Sequence, residues 1–188
     1  MPSVPPWLWI VLALVALALL AAVLVFNRLV ALRNRVDNGW AQIDVQLRRR
    51  YDLIPNLVET VKGYAAHERR VFEEVTAARA RAIDAAAVGD QARAEDQITR
   101  GLRQLLAVAE AYPDLKANES FLALQEELTG TESRIAYARQ FYNDQVMRLN
   151  TLIGSFPSNL LARTFGFEPR EFFDIEDPVR GPARVDLR

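Results

Sequence analysis

The chain has 188 residues, is 51% hydrophobic, and sets 23 Lys and Arg against 24 Asp and Glu for a formal net charge of −1. That balance excludes a global basic field that would recruit nucleic acid, and the absence of Cys excludes disulfides and thiol chemistry. With a membrane segment set aside, roughly 150 residues remain, enough for one domain with a modest core.

Residues 7–26 form an uncharged apolar run, WLWIVLALVALALLAAVLVF, which as a helix covers about 30 Å, the hydrocarbon thickness of a bilayer. About 13 Leu, Ile, Val and Phe residues favour insertion by a total on the order of 4–8 kcal/mol as an upper bound. Trp7 and Trp9 stand at one end, where amphipathic rings prefer the headgroup level. A cleaved signal peptide is the competing reading, with Ala16-Leu17-Ala18 or Ala21-Ala22 imitating a processing site. Signal peptides carry a basic leading region and a shorter apolar core, whereas here residues 1–6 hold no Lys or Arg and Arg28, Arg33 and Arg35 follow the run. An uncleaved anchor is therefore expected. The same arginines place the short N-terminus outside and the C-terminal body in the cytoplasm; a periplasmic or extracellular body is the alternative.

Beyond the anchor, Leu29, Leu32, Val36, Trp40, Ile43 and Leu47 recur at steps of three and four, so one helix is expected from the bilayer to about Tyr51. Pro55 then resets the chain, with Asp52 as cap of a second helix through Ile54, Val58, Val61, Tyr64, Ala65, Phe72, Val75, Ala78 and Ala82, ending at Gly89. Asp90 opens a third helix with Ile98, Leu102, Leu105, Val108 and Tyr112, stopped by Pro113. After a polar loop, Asn118 caps a fourth helix whose seam is Phe121, Leu124, Leu128, Thr131, Ile135, Ala138, Tyr142, Val146, Leu149 and Ile153. The seam stays in phase across Thr129-Gly130-Thr131, so one helix is expected there, and Pro157 ends it. A short element over 158–165 has Ser158 as cap and Gly166-Phe167 as a Schellman stop, and residues 169–173 are expected to add a turn. The tail from Asp174 lacks periodicity and reads as extended or disordered.

Segments 32–38 (LRNRVDN), 49–58 (RRYDLIPNLV), 112–118 (YPDLKAN) and 137–143 (YARQFYN), with 156–159 (FPSN) and 165–167 (FGF), resemble the LemA family of bacterial membrane-anchored helical proteins. The resemblance covers nearly the whole chain after the anchor. It implies an N-terminal transmembrane segment, an antiparallel helical bundle and no established enzymatic activity. It also implies an association with membrane proteases or organelle membranes. A two-component sensor kinase has shared the family's name, but no kinase-like ATP-binding pattern occurs in this chain.

A ferritin-like di-iron site needs Glu-x-x-His on two helices, and the single histidine, His67, belongs to no such motif. His67 reads as a solvated or packed side chain, and zinc sites fail on the same shortage of His and Cys. A serine triad would have to use His67, and no Gly-x-Ser-x-Gly occurs. The adjacent pairs Glu73-Glu74 and Glu126-Glu127 diverge by about 100° on a helix and read as solvated faces. Arg48-Arg49-Arg50 reads as complementing a helix C-terminus rather than binding lipid, because Arg48 lies about 33 Å past Phe26 on an upright helix. Arg28 and Arg33 are close enough to meet anionic headgroups. Asn56, Arg139, Asn143 and Asn150 must be hydrogen-bonded if buried and then read as groups that fix bundle register, with a binding site made from them as the alternative. Leu160, Leu161, Phe165, Phe167, Phe172 and Phe173 read as a cap on the bundle, with an exposed patch for a partner as the alternative.

The fold expected is all-α: a single transmembrane helix (7–26) preceded by a short outer segment (1–6) and continuous with an elongated antiparallel bundle of about four helices (27–173), then the tail (174–188). No catalytic, cofactor-binding or metal-binding residue is assigned. The function expected is a membrane-tethered, non-enzymatic interaction or scaffold module. Its partners would be the bilayer through residues 7–26 and a protein or second copy through the bundle surface, with no nucleic acid or small-molecule substrate. Lateral self-association that organises the membrane, or modulation of a membrane protease, are the alternatives.

Overall fold

A single helix, α1, runs over Pro6–Lys62 in the computed structural model, which describes residues 5–174. Five more helices follow among the described residues: α2 (Arg69–Asp84), α3 (Val88–Glu110), α4 (Pro113–Lys116), α5 (Glu119–Gly154) and α6 (Ser158–Thr164). No strand occurs among those residues, so the all-α expectation holds. The tail expected to be extended or disordered falls, from residue 175, outside the described residues.

The largest departure from expectation is at Pro55, which lies inside α1 instead of opening a second helix. Proline has no N–H to give the carbonyl four residues back, so an internal proline normally breaks or kinks a helix. That carbonyl belongs to Tyr51, and Arg79 of α2 supplies the missing donor, its Nε lying 2.7 Å from Tyr51 O. A replacement hydrogen bond from a distant element removes the main reason to break, and α1 continues to Lys62.

Other boundaries move as well. Gly89 does not end a helix; it lies in the first turn of α3, whose flanking residue is Ala87 in extended conformation (ψ 148°). Asp90 stands in that first turn, where its charge favours the helix dipole, but it is not the cap. Pro113 opens the one-turn α4. Ser158 is the first residue of α6, and its hydroxyl donates to the carbonyls of Leu152 (2.6 Å) and Ser155 (2.9 Å) rather than capping. Residues 169–173 form no helix. There the Asn150 amide accepts from Arg170 N and donates to Arg170 O, both at 2.9 Å, which takes up the peptide groups a helical turn would have used.

Three local signals hold. Asn118 Oδ1 accepts from Phe121 N at 3.0 Å, capping α5. The helix then passes through 129–131 without a break, and Thr131 is fully buried on its seam. At the end of α6, Phe167 N bonds Ala162 O and Gly166 N bonds Arg163 O, the Schellman pattern. Gly166 has the φ of 68° that this pattern needs and that a side chain would resist.

The chain divides into two units, one from 1–40 with 141–170 and the other from 41–140 with 171–188. In the first, Leu29, Leu32 and Val36 of α1 are buried, as are Val146 and Leu149 of α5 and Ala162 of α6. α1 and α5 approach closely at Gly39, where a Cβ would stand 3.2 Å from Tyr142 Cα and 3.3 Å from the Phe141 ring. The Trp40 and Tyr142 rings pack beside it, tilted by 57° with centroids 5.6 Å apart. The apolar window of α1 is long enough to cross a bilayer, and none of it is buried in protein. In the second unit, the rest of α1 packs with α2, α3 and the first part of α5 as a bundle. Ile43, Leu47, Ile54, Val61, Val75, Ala78, Ile98, Leu102, Leu105, Leu128 and Ile135 form its core. α2 and α3 run antiparallel, since Arg81 bonds Gln97 while Val75 lies against Gly101.

Replacing Arg79 with Ala should cost about 1–3 kcal/mol in denaturant unfolding of the detergent-solubilised chain, the expense of an orphaned buried carbonyl. The same replacement in a Pro55→Ala background, where residue 55 regains its N–H, should cost less by about 1 kcal/mol or more. Strict additivity of the two substitutions would refute the exchange of donors.

Candidate functional site

Buried ionisable groups are the first place to seek a site, and in the second unit they converge on residues 48–51 of α1. The three arginines expected to complement a helix end do not lie at one, because α1 continues beyond them. They point three ways instead. Arg48 pairs one turn back with Asp44 at 2.8 Å and stays exposed. Arg49 Nε donates to Glu127 Oε1 of α5 at 2.9 Å, also at the surface.

Arg50 turns inward, and its side chain is 1% exposed. It occupies a core position three residues after Leu47 and four before Ile54, so the helix that buries those two also buries it. A buried guanidinium is costly unless it is paired and hydrogen-bonded. Nη1 donates to Glu95 Oε2 at 2.8 Å and Nη2 to Thr99 Oγ1 at 2.8 Å, both on α3. Nε stands 2.8 Å from Glu132 Oε1 of α5, an ion-pair contact too bent for a hydrogen bond.

Glu95 is wholly buried and accepts from three side chains. Besides Arg50, the Tyr51 hydroxyl donates to Oε1, and Gln91 Nε2 donates to the same oxygen at 3.0 Å. Gln91 Nε2 also donates to the Tyr51 hydroxyl oxygen at 2.7 Å. Gln91, Glu95 and Thr99 follow at i, i+4 and i+8, so α3 presents them as one line.

Burial pushes the Tyr51 phenol well above its ordinary value, and the Glu95 charge and hydrogen bond push it further. Burial likewise raises the half-buried Glu132 carboxyl; Arg50 opposes that shift and Glu95 adds to it. Arg50, Tyr51, Gln91, Glu95 and Thr99 hydrogen-bond one another across α1 and α3, and Glu132 of α5 joins them only as an ion-pair contact to Arg50 Nε. Sliding α3 by one residue would move Glu95 about 1.5 Å along its axis and about 100° around it, away from both Arg50 and Tyr51. The chemistry this arrangement carries is register selection.

The other singled-out residues are dispersed. His67 is exposed in the linker between α1 and α2. Among the described residues no group of three His, Cys, Asp or Glu could hold a metal ion. Glu73, Glu126 and Glu127 are exposed; Glu74 is half-buried and pairs with Arg70. The register role expected of Asn56, Arg139, Asn143 and Asn150 depends on their burial. Asn56 is exposed and the other three are half-buried, and Asn150 holds the Arg170 peptide by two hydrogen bonds of 2.9 Å; in the second unit Arg50, Gln91 and Glu95 are the buried polar groups that meet one another. The expected aromatic cap also divides. Phe173 is fully buried and Leu161 and Phe167 are half-buried, while Leu160, Phe165 and Phe172 are exposed, so three of the six side chains take the alternative expected of them. Sequence reasoning missed the network although its signal was present, namely a polar i, i+4, i+8 line on α3 and an arginine in phase with an apolar stripe.

The sequence profile of the LemA family matches residues 39–187. Among curated relatives, magnetosome protein MamQ 2 of Paramagnetospirillum magneticum is 25% identical over 193 aligned positions, covering 88% of this chain and 71% of the relative. Magnetosome protein MamQ of Magnetospirillum gryphiswaldense is 23% identical, covering 79% of this chain and 64% of its own length. Protein LemA of Metamycoplasma hominis is 24% identical, covering 73% and 63% respectively.

Replacing Glu95 with Ala leaves the Arg50 charge buried without its main partner and should cost about 3–5 kcal/mol in unfolding. The apolar pair Arg50→Met with Glu95→Leu should be milder by about 2 kcal/mol or more. Alkali probes the same network. The folded chain keeps the Tyr51 proton where the unfolded chain loses it, so stability is intact below about pH 10 and falls above it, by at most about 1.4 kcal/mol per pH unit. Unfolding curves of Tyr51→Phe should show a shallower alkaline decline; an unchanged slope would remove Tyr51 as its source.

Proposed function

The chain belongs to the LemA family, and from that membership and its architecture we propose that it is a membrane-tethered, non-enzymatic interaction module whose bundle stands on the cytoplasmic face. The observation that carries this reading is the continuity of α1 over Pro6–Lys62, which joins an unburied apolar run to the core positions Leu29, Leu32 and Val36. Arg28, Arg33 and Arg35 follow that run and favour retention of the body in the cytoplasm. The buried charges at Arg50 and Glu95 are spent on each other, an arrangement suited to a rigid scaffold. Its exposed apolar side chains, Val45 on α1 and Leu122 and Tyr137 on α5, are the surface offered to a protein partner. A second reading, lateral self-association that organises the membrane, draws on the relatives named as magnetosome proteins.

Photo-reactive residues placed at Val45 and Tyr137 in living cells should yield discrete cross-linked products. A product of twice the chain mass favours self-association, a mixed product favours a scaffold, and no product at physiological density would count against both. Since the chain has no Cys, Tyr137→Cys gives a unique thiol for topology. A membrane-impermeant maleimide should label it only after permeabilisation; labelling in intact cells would reverse the orientation. A turnover lost in Glu132→Gln while the fold is retained would defeat the non-enzymatic reading.

A further inference from the structure

In the first unit, three large apolar side chains lie open around α6: Phe156 at 81% exposure, Leu160 at 57% and Phe165 at 57%. Their position along α1 gives this exposure its meaning. The apolar run ends at Phe26, and the first charge after it is Arg28. The Phe165 ring packs against Phe26 with centroids 4.8 Å apart, and Phe167 packs against Phe26 at 6.0 Å. Arg33 stands 5.4 Å above the Phe167 ring. Beyond Phe26, over about the next two to three turns of α1, Arg28, Arg35 and Arg148, with Thr151 and Ser155, line a groove of about 630 Å³ between α1 and the end of α5. Among the described residues, no partner in a hydrogen bond or ion pair is seen for those three arginines. The exposed aromatics that flank α6 thus begin where the unburied apolar surface of α1 stops, and cations stand near them.

We propose that α6 is a second membrane contact, with Phe156, Leu160 and Phe165 seated in the headgroup layer of the bilayer beside the exit of α1, and Arg28 and Arg148 facing lipid phosphates. Aromatic rings favour that layer because it accepts an apolar body without demanding full dehydration. Short amphipathic elements lie in it with basic side chains turned to the phosphates. The bilayer is the occupant the observations select, because the patch is continuous through Phe26 with a surface that is itself unburied and apolar. The contact would anchor the base of the unit at a second point beside the span. It rests on residues 7–26 crossing the membrane.

The absence of native Cys allows a depth measurement on the full chain. Leu160→Cys and Phe165→Cys, with Val15→Cys and Asn38→Cys as references, would each carry a nitroxide in phosphatidylcholine–phosphatidylglycerol vesicles. Collision with oxygen, which enters lipid, is compared with collision with a water-soluble nickel chelate. The oxygen-to-nickel ratio at positions 160 and 165 should exceed that at position 38 several-fold and stay below that at position 15. A ratio at 160 and 165 equal to that at 38, with position 15 lipid-embedded, would overturn the contact and leave the span standing. Loss of the lipid signature at position 15 as well would overturn both. Suppression of both collisions at 160 and 165 would mean that protein covers the patch, and would overturn the lipid assignment in favour of a second copy.

Discussion

A guanidinium withdrawn from water must be met by acceptors wherever the chain can supply them, and at Arg50 that requirement organises the second bundle. The four residues 48–51 reach every long element of the unit. Arg49 and Arg50 touch α5, Arg50 and the Tyr51 hydroxyl meet α3, and the Tyr51 carbonyl receives Arg79 from α2. Apolar side chains supply most of the burial, but they tolerate sliding; a carboxylate with three donors does not. The unit therefore has a core of interchangeable aliphatic contacts around one set of directional bonds that admits a single alignment of helices.

The same neighbourhood explains what could be read from the chain in advance and what could not. Signals that act within a turn or two were legible: Asn118 reaches three residues forward to cap α5, Gly166 allows the left-handed turn after α6, and the α5 seam keeps its phase through a weak tripeptide. Pro55 is different in kind. Its missing donor is a local fact, but the remedy comes from Arg79, 28 residues beyond Tyr51, and no local rule can see it. Residues 85–87 turn the chain between α2 and α3 without a glycine, so Gly89 drew the boundary away from its true place. The candidate site was missed for a related reason. Arg50 was grouped with its sequence neighbours as a charged triplet, although helix phase sends the three side chains to different surroundings.

α1 answers to two solvents in succession. Over its first stretch the exposed residues are the apolar ones, and from Leu29 onward the pattern inverts, with most aliphatic residues buried and the charges outside except at Arg50. The inversion is abrupt because Arg28 and Leu29 are adjacent, one exposed and the other fully buried. Helix geometry alone carries the chain across that change, since a continuous helix satisfies its own backbone groups in either medium. Gly39 then lets α5 approach closely just after the change, with Trp40 and Tyr142 packed beside it.

The amide of Asn150 grips the peptide of residue 170 from both sides, one bond given and one received. Together with the packing of Phe165 and Phe167 on Phe26, it closes α6 and its flanking turns into a ring, so the entropy of ordering that excursion is confined to a short closed path. Slack added within the ring would leave its clasp intact.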